Sequence, residues 1–307
     1  MEDPAHQLHP RSPAGQHRQV TRFGYIGLGM MGSAMAENLI GHGRGSVTVH
    51  DIDSAAVDAA VSLGAEAGTS AAEVAQASDV VSICVPAAAH IEAVLSGPGG
   101  IAEGVHDGLS VLIHSTVHPE TVLAARDAAA EWGVPVFDAC VAGGADNARA
   151  GTLTVLAGGL EDMPPAAREV LDIYAGTLID AGPAGSGAAL KIAINVMTYA
   201  QFAAAAAAHD MVASTGGEPA ALLEAWRSMG QLGALTEQYC ALLEIPDEHI
   251  QGELRTMLQT QAGIATKDLS LALELGCTRP GAAALLEAVQ AAMPAVYNVH
   301  EANEETG

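Results

Sequence analysis

The sequence predicts an α/β half with a mostly parallel sheet, one long connecting helix, and then an all-helical half. Three observations carry this. From residue 23, short apolar runs alternate with helical patterns up to residue 157. After residue 185 the strand patterns stop. Between them and the C-terminal helices lies one Ala-rich helical pattern, Ala188 to Val212.

The elements follow in order. Phe23-Gly-Tyr-Ile26 is an apolar run before glycines, and Met30 to Ile40 then reads as a helix. Val47 to His50 is a second strand, followed by helical patterns at Ala55–Leu63 and Ala71–Ala77. Val80-Val-Ser-Ile-Cys-Val85 reads as a buried strand stopped by Pro86, and His90–Leu95 as helical. Val111–His114, Val134–Phe137 and Thr152–Ala157 are further strands, with a helix over Pro119–Trp132. Beyond the connecting helix, helical blocks lie near 219–229, 232–243, 249–275 and 281–292. The expected organisation is a tail at 1–22, an α/β domain at 23–184 and a helical domain at 185–307.

Composition narrows the function classes. Half of the 307 residues are hydrophobic and only 3% are aromatic, with 34 glycines. Such a chain buries a sizeable core and lets backbone approach backbone or ligand. A net charge of −24 disfavours nucleic acid and anionic membranes as partners. A site for an anion must therefore be built locally, from backbone N–H groups or a few placed cations. The first 22 residues are polar, rich in Pro and His, and lack an apolar stretch of the secretory type, so they read as a disordered tail. Cys84, Cys140, Cys240 and Cys277 show no paired spacing, which points to free thiols and a cytoplasmic protein. His114 and His118 lie on a strand end and a loop, where a four-residue spacing does not align them, so no metal site is expected.

The first strand runs into Gly27-Leu28-Gly29-Met30-Met31-Gly32, a match to G-x-G-x-x-G between a strand and a helix. Gly27 allows the tight turn, Gly29 lets backbone approach a pyrophosphate, and Gly32 lets the helix pack on the strand. The helix N-terminus then offers unpaired N–H groups to the phosphates. Asp51 ends the second strand, 19 residues after Gly32, where an acid would bond the ribose hydroxyls. Ile52 follows it and no Arg is adjacent, which favours NAD over NADP, with Arg44 the one nearby cation. The α/β half is thus expected to be a dinucleotide-binding domain of the Rossmann type.

Four motifs in order carry a resemblance. They are Gly27–Leu39 (GLGMMGSAMAENL), Asp138–Gly159 (DACVAGGADNARAGTLTVLAGG), Gly182–Asn195 (GPAGSGAALKIAIN) and Lys267–Leu273 (KDLSLAL). Ser115-Thr116-Val117-His118-Pro119 fits a Ser-Thr-x-x-Pro segment between the first two. Together they resemble the β-hydroxyacid dehydrogenases, the group that includes 3-hydroxyisobutyrate dehydrogenase, from about residue 23 to 292. The resemblance implies hydride transfer between a nicotinamide cofactor and a small 3-hydroxy acid or its semialdehyde. It also implies a homodimer or homotetramer.

It further makes Lys191 the catalytic residue, and the physical chemistry agrees. The chain has ten arginines but only two lysines, Lys191 and Lys267. Lys191 sits in an apolar segment, where desolvation lowers a lysine's pKa toward the range useful for proton transfer, something Arg does not do. Asn195 is four residues on, on the same helix face, placed to orient the hydroxyl or the carboxylate. By the resemblance Lys267 reaches the nicotinamide end from the helical domain, while Thr116, Val85 and Pro86 line that pocket. Lys267 and Asp268 otherwise read as an exposed neighbouring pair.

The substrate segment departs from the family. Asp138-Ala-Cys140-Val-Ala142-Gly143-Gly144 has Cys140 for the usual Pro and Ala142 for the usual Ser. The Gly143 and Gly144 N–H groups still suit a carboxylate, but the Ser hydroxyl is missing. Asn147 is a candidate for a polar substrate tail, Asp146 would disfavour a second anion unless it points outward, and His118 is a candidate substrate contact at the pocket mouth. An imine reductase or other carbonyl reductase on the same architecture, or a non-catalytic dinucleotide-binding protein, are the alternative readings. Lys191 speaks against an imine reductase, where the resemblance puts Asp or Tyr at that position, and Lys191 with Asn195 against a non-catalytic protein.

Overall fold

The computed structural model describes residues 21–299. The expected tail therefore lies, up to residue 20, outside the described residues. Thr21 and Arg22 already belong to the fold, with Arg22 paired to Asp79 at 2.6 Å.

The first half alternates strands and helices: β1 (Phe23–Ile26), α1 (Met30–His42), β2 (Val47–His50), α2 (Ser54–Ser62), β3 (Glu66–Ala67), α3 (Ala71–Ala77), β4 (Val80–Ile83), α4 (Ala88–Ser96), β5 (Ser110–Ile113), α5 (Pro119–Ala130), β6 (Val136–Ala142), α6 (Gly144–Ala150), β7 (Leu153–Gly158), α7 (Pro165–Tyr174) and β8 (Ala175–Gly182). These strands form one eight-stranded sheet in the order β3-β2-β1-β4-β5-β6-β7-β8. The first six make the doubly wound, Rossmann-type order, with the reversal between β1 and β4. Only the β6–β7 pairing is antiparallel, so β7 and β8, parallel to each other, run against the rest.

β1, β4 and β5 are buried at all four positions, as expected for parallel strands covered on both faces. One core packs α1 and α7 on one face through Tyr25, Met35, Leu39, Phe137 and Tyr174. The other face holds Ile83, Ile91, Leu95, Ile113 and Val122. Helix starts are set by local chemistry. Asp53 caps α2 by accepting from the Ala55 N–H (3.0 Å), and Ser70 caps α3 by accepting from the Glu73 N–H (3.2 Å).

The second half is helical: α8 (Ser186–Ser214), α9 (Pro219–Ser228), α10 (Ala234–Leu243), α11 (Gly252–Leu275) and α12 (Ala282–Val296). Its core contains half of the few aromatics, with Phe202 stacked on Tyr239 at 4.2 Å between ring centroids. α8 belongs to both halves. Ala188 packs against the sheet, while Ile192, Tyr199, Phe202 and Ala205 pack in the helical core.

The structure corrects several sequence expectations. β4 ends at Ile83, not at residue 85, because the Val85 N–H turns out of the ladder to the Ser115 hydroxyl (2.9 Å). β6 covers 136–142 instead of 134–137, so Cys140 and Ala142 are strand residues. β3, α6, α7 and β8 are additional elements. β3 has two residues, and β8 is a half-exposed edge strand with glycines near both ends, so neither shows the apolar alternation of a buried strand.

Candidate active site

The strand register places the site. Ile26 pairs with His50 and Ile83, Ile83 with Ile113, and Ile113 with Asp138, so one row crosses the sheet from His50 to Asp138. The candidates from the α/β half all follow this row at the carboxyl ends: Asp51 after β2, Gly27–Gly32 after β1, Val85 and Pro86 after β4, Thr116 and His118 after β5, Ala142–Gly144 along and after β6. Ligands of open α/β sheets bind at such an edge.

The glycine motif has the shape a dinucleotide needs. Gly27 has φ +94°, and a Cβ there would strike the Cys84 carbonyl oxygen. A Cβ at Gly32 would strike the Gly27 carbonyl oxygen, so that glycine is required by the close approach of α1. A Cβ at Gly29 meets nothing within 4 Å. This glycine faces open space at the start of α1, which has no side-chain cap on its first-turn N–H groups. Leu28 and Met31 anchor the turn in the core, and Met30 is half-exposed beside α11, 3.8 Å from the Gln261 amide. An open cleft of about 540 Å³ lies there, lined by Met30, Glu253, Thr256, Met257 and Thr260.

Asp51 is held by two backbone donors, the Leu28 N–H (2.5 Å) and the Asp53 N–H (2.8 Å), one on each oxygen. Each oxygen keeps an acceptor site for a hydroxyl. Ile52 beside it is fully exposed. Arg44 precedes β2, so it lies at the opposite end of that strand from Asp51, roughly 13 Å away at the usual rise. It faces Glu169 at 3.7 Å.

β6 builds the floor. Asp138, Cys140 and Ala142 alternate onto one face, the face on which α8 packs. Asp138 is completely buried. Its two oxygens accept the N–H groups of Gly185 (2.8 Å) and Ala188 (2.9 Å), at the start of α8. A carboxylate at the positive end of a helix is favoured twice, by hydrogen bonds and by the dipole. Cys140 donates to the Ser115 carbonyl (3.4 Å), and burial pushes its thiol up to about 12, so it stays protonated. Gly143 and Gly144, at φ +134° and +80°, turn the exposed chain into α6.

Lys191 is half-buried, one turn into α8 from the Asp138 contacts. Burial lowers its pKa from the ordinary 10.5; Asp268 pulls it back up, the neighbouring Cys140 adds to that, and Lys267 pushes it down. Among the described residues none forms an ion pair with it. Asn195 and Tyr199 follow at four-residue steps on the same helix face. The Asn195 amide donates to Asp268 Oδ2 (2.6 Å), and the Tyr199 hydroxyl donates to the same oxygen (3.1 Å). Lys267 Nζ lies 2.8 Å from Asp268 Oδ1 and donates to the Thr116 carbonyl (2.7 Å), which ties α11 to the loop after β5. Asp268 is 2% exposed, which corrects the reading of an exposed neighbouring pair.

Other candidates take structural places. His118 caps α5, its ring nitrogen accepting from the Glu120 N–H (3.2 Å). Asn147 donates to the Gly143 carbonyl (2.7 Å) and accepts from Thr152 (3.0 Å), so both ends of its amide are engaged locally. Asp146 is fully exposed and points outward, next to Arg149 at 3.2 Å. His114 is buried between the Ala139 carbonyl (2.6 Å) and the Ser82 hydroxyl (3.0 Å), and burial depresses its pKa to about 4. No group of three His, Cys, Asp or Glu side chains suited to a metal occurs among the described residues, and no helix there is long and apolar enough to cross a membrane.

Sequence reasoning had missed the roles of Asp138, Asp268 and Tyr199. The first had a signal: a lone acid inside the apolar run Val136–Ala142 is expected to be paired. Tyr199 also had one, since it continues the four-residue spacing of Lys191 and Asn195.

Residues 22–182 match the profile of the NAD binding domain of 6-phosphogluconate dehydrogenase. An uncharacterized oxidoreductase of Mycobacterium tuberculosis is 35% identical over 265 residues, 85% of this chain and 88% of that protein. The 2-(hydroxymethyl)glutarate dehydrogenase of Eubacterium barkeri is 34% identical over 258 residues, 83% of this chain and 82% of its own. Among solved structures, 3-hydroxyisobutyrate dehydrogenase of Mycobacterium tuberculosis with L-serine aligns with a TM-score of 0.75 and 25% identity, covering 92% of this chain and 95% of that one.

Proposed function

Since the chain belongs to the β-hydroxyacid dehydrogenase family of nicotinamide-dependent oxidoreductases, we propose that it oxidises a small 3-hydroxy acid, or reduces its semialdehyde, with Lys191 as the general acid–base. The observation that carries this reading is Lys191 itself: half-buried, lowered in pKa, without an ion pair among the described residues, and one turn along α8 from the Ala188 N–H that bonds Asp138 at the end of the strand row.

The nicotinamide, when bound, supplies a two-electron acceptor for the hydrogen on the carbinol carbon. Neutral Lys191 takes the hydroxyl proton, and in the reverse direction its ammonium returns a proton to the carbonyl oxygen. Asn195, with one amide N–H committed to Asp268, orients the substrate oxygen beside Lys191. The Gly143 and Gly144 N–H groups hold the carboxylate. Ala142 adds no hydroxyl donor there, so the carboxylate rests on backbone. Val85, Pro86 and Thr116 wall the nicotinamide end, and Lys267 closes it from α11.

At the other end, Gly29 and the start of α1 take the pyrophosphate and Asp51 the ribose hydroxyls. A carboxylate repels a 2′-phosphate, Ile52 offers no cation and Arg44 lies at the far end of β2, so NAD is preferred to NADP. The resemblance to the β-hydroxyacid dehydrogenases favours a homodimer or homotetramer as the working form. Four free thiols fit a cytoplasmic setting.

The test is NADH formation across a panel of 3-hydroxy acids, with NAD and NADP compared and Lys191→Ala as control. Turnover with NAD that collapses in the variant is expected. Equal rates with NADP would refute the Asp51 argument, and undiminished turnover in the variant would refute the role of Lys191.

A further inference from the structure

Asp268 belongs to none of the functions assigned above, yet it is a buried charge held from two helices. Burying a carboxylate is unfavourable unless it is paired and hydrogen-bonded. Asp268 has three partners from two helices: the Asn195 amide (2.6 Å), the Tyr199 hydroxyl (3.1 Å) and the Lys267 ammonium (2.8 Å).

We infer that Asp268 is the positioning residue of this site, its carboxylate fixing the Asn195 amide and the Lys267 ammonium and setting, through its charge, how readily Lys191 releases a proton. The inference rests on the reading that Lys191 exchanges the substrate's proton.

The geometry argues each part. A carboxylate only accepts hydrogen bonds, so Asn195 must present its NH₂ to Asp268 and its carbonyl oxygen elsewhere. The face that Asn195 shows to a ligand beside Lys191 is therefore chosen by Asp268. The Lys267 ammonium is divided between Asp268 and the Thr116 carbonyl, so the same carboxylate holds α11 against the loop after β5. Tyr199 is kept as the neutral phenol by burial first and by the Asp268 charge second, so its hydroxyl keeps the proton it donates to Asp268.

The charges facing Lys191 are few. Asp268 and Lys267 come from α11, and Cys140 from β6 is a neutral thiol. Lys267 opposes the ammonium form of Lys191 and Asp268 favours it. With Asp268 neutral, two lysines would share a poorly hydrated site without a counter-charge, and Lys191 would lose its proton at lower pH.

The chain is suited to a direct test, because Lys191 and Lys267 are its only lysines. Full-length protein labelled with ¹³C at the lysine Cε gives two lysine signals, and that of Lys191 is assigned by its loss in Lys191→Ala. The near-isosteric Asp268→Asn is expected to move the Lys191 midpoint down by about one pH unit or more, and to move the rising limb of the kcat/KM profile for oxidation by the same amount. Tyr199→Phe removes a donor and keeps the charge, so the midpoint is expected to stay or rise slightly. An unmoved midpoint in Asp268→Asn overturns the inference. So does a fall in Tyr199→Phe, which decides the matter even if Asp268→Asn does not fold. The titration needs no substrate. A shifted midpoint in a protein that oxidises no hydroxy acid would leave the Asp268 role standing and remove the substrate reading instead.

Discussion

Replacing Asp138 with Asn tests how the sheet holds the helix that bears Lys191. The variant is nearly isosteric, so it opens no cavity in the fully buried site. It keeps one acceptor for either the Gly185 or the Ala188 N–H and turns an NH₂ toward the other. The lost hydrogen bond to a charged group is worth about 1.5–3 kcal/mol. The lost charge at the N-terminus of α8 adds about 0.3–2 kcal/mol, the upper end applying to buried geometries. Together these come to roughly 2–5 kcal/mol, which lowers the melting temperature by roughly 3–9 °C for a chain of this size. The assay is thermal unfolding followed by circular dichroism at 222 nm, alongside kcat measured well below the transition. Both should fall, because a loosened first turn misplaces Lys191 one turn later. A melting temperature within about 2 °C of the parent would refute the reasoning, since it would mean that the two bonds exert no net hold on α8.

Other expectations concern the cofactor cradle, the lysine and the core. Gly29→Ala should fold with an unchanged melting temperature, since its Cβ meets nothing within 4 Å, yet lose NADH binding by fluorescence titration; a variant that binds normally would remove the pyrophosphate from that turn. Lys191→Arg should keep the fold and cofactor binding but lose about 10²–10⁴-fold in turnover, because a guanidinium does not give up its proton. In the parent protein oxidation should rise with pH and level off below the ordinary lysine value of 10.5, the neutral amine being the base. His114 has its pKa depressed from 6.5 to about 4, so the unfolded chain takes up that proton first. Its contribution to stability is complete above about pH 6.5 and is lost as pH falls toward 4, by up to about 3 kcal/mol. Melting curves across that window should flatten in His114→Gln, and an unchanged slope would assign the acid sensitivity to other groups.

How much of this was legible in the sequence depends on the range of the interaction. The turn at Gly27–Gly32 and the acid at Asp51 obey local rules about strand ends, tight turns and helix starts, and the structure puts them on one sheet edge. The strand–helix alternation was legible for the same reason, because burial on both faces leaves an apolar run. β8 was not, since an edge strand needs no such run. Asp268 was not, and Asp138 only as an acid set in an apolar run, because their hydrogen-bond donors lie 47 to 73 residues away. A local window shows an acid beside Cys140 or beside Lys267; only the packing of α8 on β6 and α11 shows that each acid is buried and spoken for. Neighbouring backbone and side chains occupy the Asn147 amide and the His118 ring with local bonds, which composition alone does not reveal.

The reversal of β7 and β8 has a consequence for how this architecture can vary. β6 overshoots the row that ends at Asp138, and β8 leads the chain back from beyond that row, so that Gly182 comes level with Gly158 and α8 starts beside Asp138. α8 then heads outward and carries the helical half past the edge where the glycine turn and Asp51 sit. Were the last strand to run with the others, the chain would leave the sheet beyond the edge and the next helix would turn inward, sending the helical half to the opposite side. Strand polarity, decided some thirty residues before Lys191, therefore selects which side of the sheet can become an active site, and an insertion that changed the strand count there without restoring the direction would separate the lysine from the cradle while leaving both motifs intact in the sequence.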